Sequence, residues 1–316
     1  MKKFRSKNAW LHAAISALVL LMCSCGGGDS SIMRLVPAES CAIMTIDWSS
    51  IRANRELRRL INGDQFETLL QGIGVNSETV KSVTIFSSMD AQALSGLLLS
   101  GPFHRDEIAS QLKLHGWNEA SLEHNHVYVH ANDYIAFPSS NILFAGTREG
   151  VLAVLRAEND AAESILTSDA YKKINSTLSL NGRPVKAFLL IPQGTLDMAD
   201  AALTATSVAL SLFNLGGVGQ LLKAVNIAKG FALIVDSGVQ EKYPMELCVL
   251  MRDEASAALV SGSLNAMKTI SEMTSSDNRE QESLRALRQM SIVRKKEVLA
   301  VRMEVPGTVL FPPSSR

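Results

Sequence analysis

Continuous or alternating apolar runs, separated by segments whose apolar residues fall three and four apart, divide the chain into strands and helices. Strands are predicted at residues 41–47, 80–87, 94–100, 121–130, 134–137 and 142–145, with a hairpin turning at Ala131-Asn132-Asp133. Between them, Asn54 opens a helix whose Leu57, Leu60 and Ile61 share one face. Asp64 with Glu67 three residues on reads as a capping box for a second helix through Phe66, Leu69 and Leu70, closed at Gly72. A third helix is expected over residues 106–114, and Thr147 caps a fourth that carries Val151, Leu152 and Leu155.

The second half repeats this order. Strands are predicted at 185–191, 230–235, 245–251 and 298–305, with a helix from Asp253 to about Met273. Arg105-Asp106-Glu107 and Arg252-Asp253-Glu254 follow the third strand of each half, where acids suit the positive end of a helix. The pattern therefore predicts an α+β fold of two similar units, residues 35–160 and 161–308, with a tail at 309–316. Each unit is expected to be a mainly antiparallel sheet covered by helices on one side, a ferredoxin-like arrangement repeated by internal duplication.

The first 34 residues follow neither programme. Lys2, Lys3, Arg5 and Lys7 precede an apolar run over residues 13–22 and then Cys23-Ser24-Cys25-Gly26-Gly27-Gly28. Spanning about 30 Å of hydrocarbon takes about 20 apolar residues, so the run is short for a permanent span and of the length of a cleavable export signal. Leu21, Ser24 and Cys25 resemble the lipobox of bacterial lipoproteins. The resemblance implies a signal at 1–24, acylation of Cys25 and a lipid-anchored tether at 25–34, whose glycines and serines form a flexible stalk. Cys23 with Leu20 is the alternative acylation site, with Met22 a poor neighbour to the cut. More than one acyl chain makes such an anchor stable. In a cell with two membranes, Gly26 in place of an aspartate favours the outer one on the same resemblance.

The body resembles a loosely defined group of uncharacterised bacterial envelope proteins with two α+β repeats. The matching phrases are Val36-Pro37-Ala38, the strand from Ile43 to Asp47, Arg55-Glu56-Leu57-Arg58-Arg59-Leu60 and Leu143-Phe144-Ala145-Gly146-Thr147. The group carries no activity over to any residue.

Composition narrows the function further. Of 316 residues, 47% are apolar and 20% charged, the balance of a globular protein. The chain holds 31 basic and 31 acidic residues, and four of the bases but none of the acids precede residue 25. The remainder is mildly acidic and offers no footprint for nucleic acid. Cys41 and Cys248 lie in apolar strand-like runs and read as buried free thiols, though an oxidising compartment permits a bridge.

Three candidate sites stand beside the anchor. His124, His126 and His130 share one parity of a predicted strand, and a His-x-His pair joined by His104 or Glu123 has the donors of a zinc hydrolase; the bland reading is an exposed sheet face. Residues 201–222 carry no formal charge and predict a core helix or the lining of an apolar cleft for a greasy ligand or partner helix. Gly216-Gly217-Val218-Gly219 follows a helix and lacks the Lys-Ser/Thr ending of a phosphate loop. No Gly-x-Ser-x-Gly elbow is present. The function expected is a membrane-tethered binding or structural module of the envelope without a cofactor, with apolar-ligand carriage and zinc hydrolysis as the alternatives.

Overall fold

A computed structural model describes residues 30–60, 63–90, 93–178, 184–191, 228–238, 242–273 and 288–306. The predicted export signal, Cys25 with most of the predicted tether, the 201–222 segment and the tail lie outside them. The contacts divide the chain into two compact units, the second opening at Thr167, where the pattern predicted 161.

The first unit begins with α1 (Ser30–Met33) and β1 (Ala42–Asp47). Asp47 ends the strand and caps α2 (Trp48–Ala53), its carboxylate accepting from the Ser50 N–H at 3.1 Å. Asn54 then caps α3 (Arg55–Leu60), accepting from the Leu57 N–H at 3.0 Å. In α4 (Gly63–Gly72), Asp64 and Glu67 do not form the expected capping box. The Arg58 guanidinium sits between them, 2.8 and 2.9 Å away, and takes both carboxylates as ion-pair partners.

The sheet of this unit contains β2 (Ser82–Ser87), β3 (Ser95–Ser100), β4 (Asn118–Leu122), β5 (Asn125–His130), β6 (Asp133–Ser139) and β7 (Ile142–Gly146). Its order is β1-β2-β3-β7-β6-β5-β4, antiparallel throughout. Helices α5 (Arg105–Leu114) and α6 (Arg148–Glu158) follow β3 and β7. Thr147 is the joint between α6 and the sheet: its hydroxyl accepts from the N–H groups of Gly150 and Ser95, each at 3.1 Å. Paired Gly96 and Gly146 leave room for the Phe144 ring, because a Cβ on Gly96 would fall 2.2 Å from that ring.

The structure departs from the sequence pattern in three respects. The 121–130 strand is two strands, joined by Glu123 and His124 in left-handed conformations at φ 47° and 68°, the hairpin geometry that matches strand twist. The sheet is not covered on one side only, since every residue of β2 is buried and so are Leu97, Leu98 and Leu99 of β3. Nor is the order ferredoxin-like. A split β-α-β leaves room for a third strand between the first two, whereas β1 pairs directly with β2 in register from Ala42↔Ser87 to Asp47↔Ser82.

The second unit contains α7 (Asp169–Asn175), β8 (Val185–Leu190), β9 (Ala228–Val235), β10 (Lys242–Met251), α8 (Glu254–Met273), β11 (Ser291–Lys295) and β12 (Val298–Pro306). Its sheet runs β8-β9-β10-β12-β11, again antiparallel. Tyr171 of α7 packs on Phe188 with ring centroids 4.9 Å apart. Asp253 caps α8, accepting from the Ser256 N–H at 2.7 Å. In both units a three-strand meander is followed by a helix and then by a last strand that returns beside the third: β7 on β3, and β12 on β10.

Cys41 and Cys248 are both free and buried. Burial pushes the Cys248 thiol from an ordinary value near 9 up to about 12, Glu246 adding to the effect and Arg302 opposing it; burial also pushes Cys41 up. Neither thiol is expected to react with iodoacetamide at neutral pH until denaturant is added, as read by peptide mass spectrometry. Native-state labelling as fast as in denaturant would contradict this burial. The folded chain holds the Cys248 proton more tightly than the unfolded chain. Its contribution to stability is therefore whole below pH 9 and is lost as pH rises toward 12.

Candidate functional site

The β4–β5–β6 hairpins carry most of the polar and aromatic residues that the sequence singled out. His126 is exposed opposite Ser121, while His124 lies in the turn and not on the strand face. That turn breaks the shared parity expected of the three histidines. His130 packs its ring 5.5 Å from Trp117, and His104 precedes α5 without a side-chain capping bond. Among the described residues no group of three or more His, Cys, Asp or Glu is placed to hold a metal ion.

Glu123, a possible third ligand by sequence, is committed elsewhere. Arg156 of α6 donates to both oxygens of its carboxylate through Nε and Nη2 and holds it below the usual carboxylate range. Glu119 is likewise held down by Lys113, 2.9 Å away, and accepts from the Tyr128 hydroxyl at 3.3 Å. Burial raises Tyr128, with Glu119 adding to it. Tyr128 meets Phe137 edge-on at 6.4 Å, and Arg105 lies 5.5 Å over the Phe137 ring while donating to its carbonyl at 3.3 Å. Glu119 and Glu123 are thus tied to neighbouring bases and held in their charged form, as ion-pair partners rather than proton donors.

A second polar feature crosses the sheet of the other unit. Lys186, Ile234, Glu246 and Arg302 occupy one register line over β8, β9, β10 and β12. Glu246 is fully buried and takes the Arg302 Nε at 2.8 Å. Burial pushes the Lys186 ammonium down. Sequence inspection missed this line because the strands' apolar runs hide it; the signal was a charge at one matching position of three predicted strands.

An open concavity of about 500 Å3 is lined by Gly74 and by Asp106, Glu107, Ser110 and Gln111 of α5. It brings together two acids at a helix start and none of the sequence-predicted site residues. Cys25 and the 201–222 segment lie outside the described residues. Among those that are described, no helix is long and apolar enough to cross a membrane.

No protein-family description matches this chain, and no curated protein matches it in sequence. Solved structures resemble it in fold. Crystal form IV of TP0453 superposes with a TM-score of 0.50 at 10% identity, covering 87% of this chain and 92% of that one. Crystal forms III and I give TM-scores of 0.49 at 11% and 10% identity, each covering 88% of this chain and 95% and 94% of theirs. The class is thus an α+β fold with antiparallel sheet and helices, shared with TP0453 at the level of fold alone.

Proposed function

We propose that this protein is an exported lipoprotein of the bacterial envelope, anchored by acylated Cys25 and acting as a binding or structural module. The observation that carries the reading is the N-terminal succession of four bases, a short apolar run, Ser24-Cys25 and a glycine-serine tether. A body whose acids and bases on the hairpin face are mutually paired supports recognition over catalysis. The repeated order of meander, helix and returning strand supports an origin of the two units by internal duplication, the first having gained a hairpin.

Fractionation tests the anchor. Cys25→Ala is expected to move the chain from the membrane pellet to the soluble or unprocessed pool and abolish incorporation of labelled palmitate, while Cys23→Ala leaves both unchanged. A Cys25→Ala chain that keeps its label and its membrane association would overturn the assignment.

A further inference from the structure

The chain is built into the first unit from α1 onward. Ile32, Met33, Leu35 and Val36 are all buried. The Thr45 hydroxyl donates to the Met33 Sδ at 3.8 Å, which seats α1 on the Thr45 face of β1. Backbone bonds fix the residues that follow: the Ala38 N–H donates to the Glu163 carbonyl at 3.2 Å, and the Ile165 N–H donates to the Val36 carbonyl at 2.8 Å. Only residues 26–29 therefore separate Cys25 from the start of α1 at Ser30. Five steps of fully extended chain, from Cys25 to Ser30, reach at most about 18 Å.

That reach is small against the thickness of the unit. The Thr45 face runs by register through Thr84, Leu98, Phe144 and Ala136, and α6 lies on it, since a Cβ on Gly150 would stand 3.1 Å from the Phe144 ring. Glu119, Tyr128 and Phe137 alternate onto the opposite face, where Lys113 and Arg105 of α5 meet Glu119 and the Phe137 ring. With packed layers about 10 Å apart and a helix about 10 Å across, the axis of α1 is about 25 Å from the outer side of α5. We infer that the short link holds the first unit on the anchoring bilayer with its α1–α6 layer toward the lipid headgroups and α5 facing away. The orientation rests on the acylated Cys25 of the proposed anchor, whose acyl chains keep that residue at the headgroup boundary. The inverted arrangement needs the link to pass around the sheet and α5, further than it extends. The open concavity lined by Asp106, Glu107, Ser110 and Gln111 is then turned to the aqueous side, where a soluble partner reaches it.

Spin labels read the orientation in the acylated chain, reconstituted in phosphatidylethanolamine–phosphatidylglycerol vesicles that carry a nickel-chelating headgroup lipid. Arg34 beside α1 and Ser110 on α5 are both exposed, while Cys41 and Cys248 are buried, so Arg34→Cys and Ser110→Cys each direct the label. Headgroup nickel is expected to enhance relaxation of the label at position 34 at least tenfold more than at position 110. Inserting about thirty glycine and serine residues after Gly28 is expected to remove most of that difference, because a link of that length no longer sets the orientation. Equal enhancement at the two positions, the reverse order, or a difference that survives the insertion would each overturn this arrangement and leave the anchor standing. Mass spectrometry of the same sample separates the two readings: a chain without lipid on residue 25 overturns the anchor and the orientation together.

Discussion

Trp48→Ala is expected to destabilise the first unit by about 3–5 kcal/mol, the range for removing a large aromatic from a packed core. Trp48 is fully buried, meets Phe66 of α4 edge-on at 4.6 Å, and donates from Nε1 to the Ser77 carbonyl at 3.1 Å. One side chain thus joins the helix after β1, the helix two elements later and the loop before β2. Its loss leaves a cavity and weakens the satisfaction of a carbonyl that Arg52 reaches only at 3.4 Å. Trp48→Phe keeps most of the volume and loses the donor, with an expected cost of about 1–2 kcal/mol. Urea denaturation followed by circular dichroism separates the two. A Trp48→Ala loss below about 1 kcal/mol would mean that the ring does not fill this core.

Arg302→Ala is expected to produce the largest charge-related loss in the second unit, about 2–4 kcal/mol. It removes the guanidinium that faces a carboxylate with no exposed surface, in the middle of the β10–β12 pairing. The loss falls below that of a wholly buried pair because the Arg302 side chain is 34% exposed and solvent screens it in part. The double replacement Glu246→Leu with Arg302→Leu is expected to recover most of the loss, since leucine pays no desolvation in that setting. Glu119→Gln, which breaks the exposed pair with Lys113, is expected to change stability little. Equal effects of the Arg302 and Glu119 changes would show that burial of Glu246 does not govern the pair.

Much of this was legible locally. Asn54, Thr147 and Asp253 announce their helices by short polar side chains, and each does cap or initiate one. The strands β1, β3, β7, β8 and β10 announce themselves by apolar runs. What escaped was set by distant partners or by unusual backbone. Glu123 and His124 lack the Asn-Gly signature of a tight hairpin turn, so β4 and β5 read as one strand and three histidines seemed to share a face. Ser291–Lys295 has too little apolar contrast to declare itself and is a strand because β12 pairs with it. Strand order and coverage of both faces are decided by which surfaces meet, which no local window contains. Ion pairing of Glu119, Glu123 and Glu246 joins residues 6, 33 and 56 positions from their partners, beyond any motif spacing.

The anchor is tested most directly by mass spectrometry of the mature N-terminus, taken from the membrane fraction of cells producing the intact chain. The mass expected is that of a chain beginning at Cys25 and bearing a diacylglyceryl group on its sulfur, with or without a further acyl chain on its nitrogen. A first residue elsewhere without lipid, or residues 1–24 still attached to a chain in its final location, would contradict it.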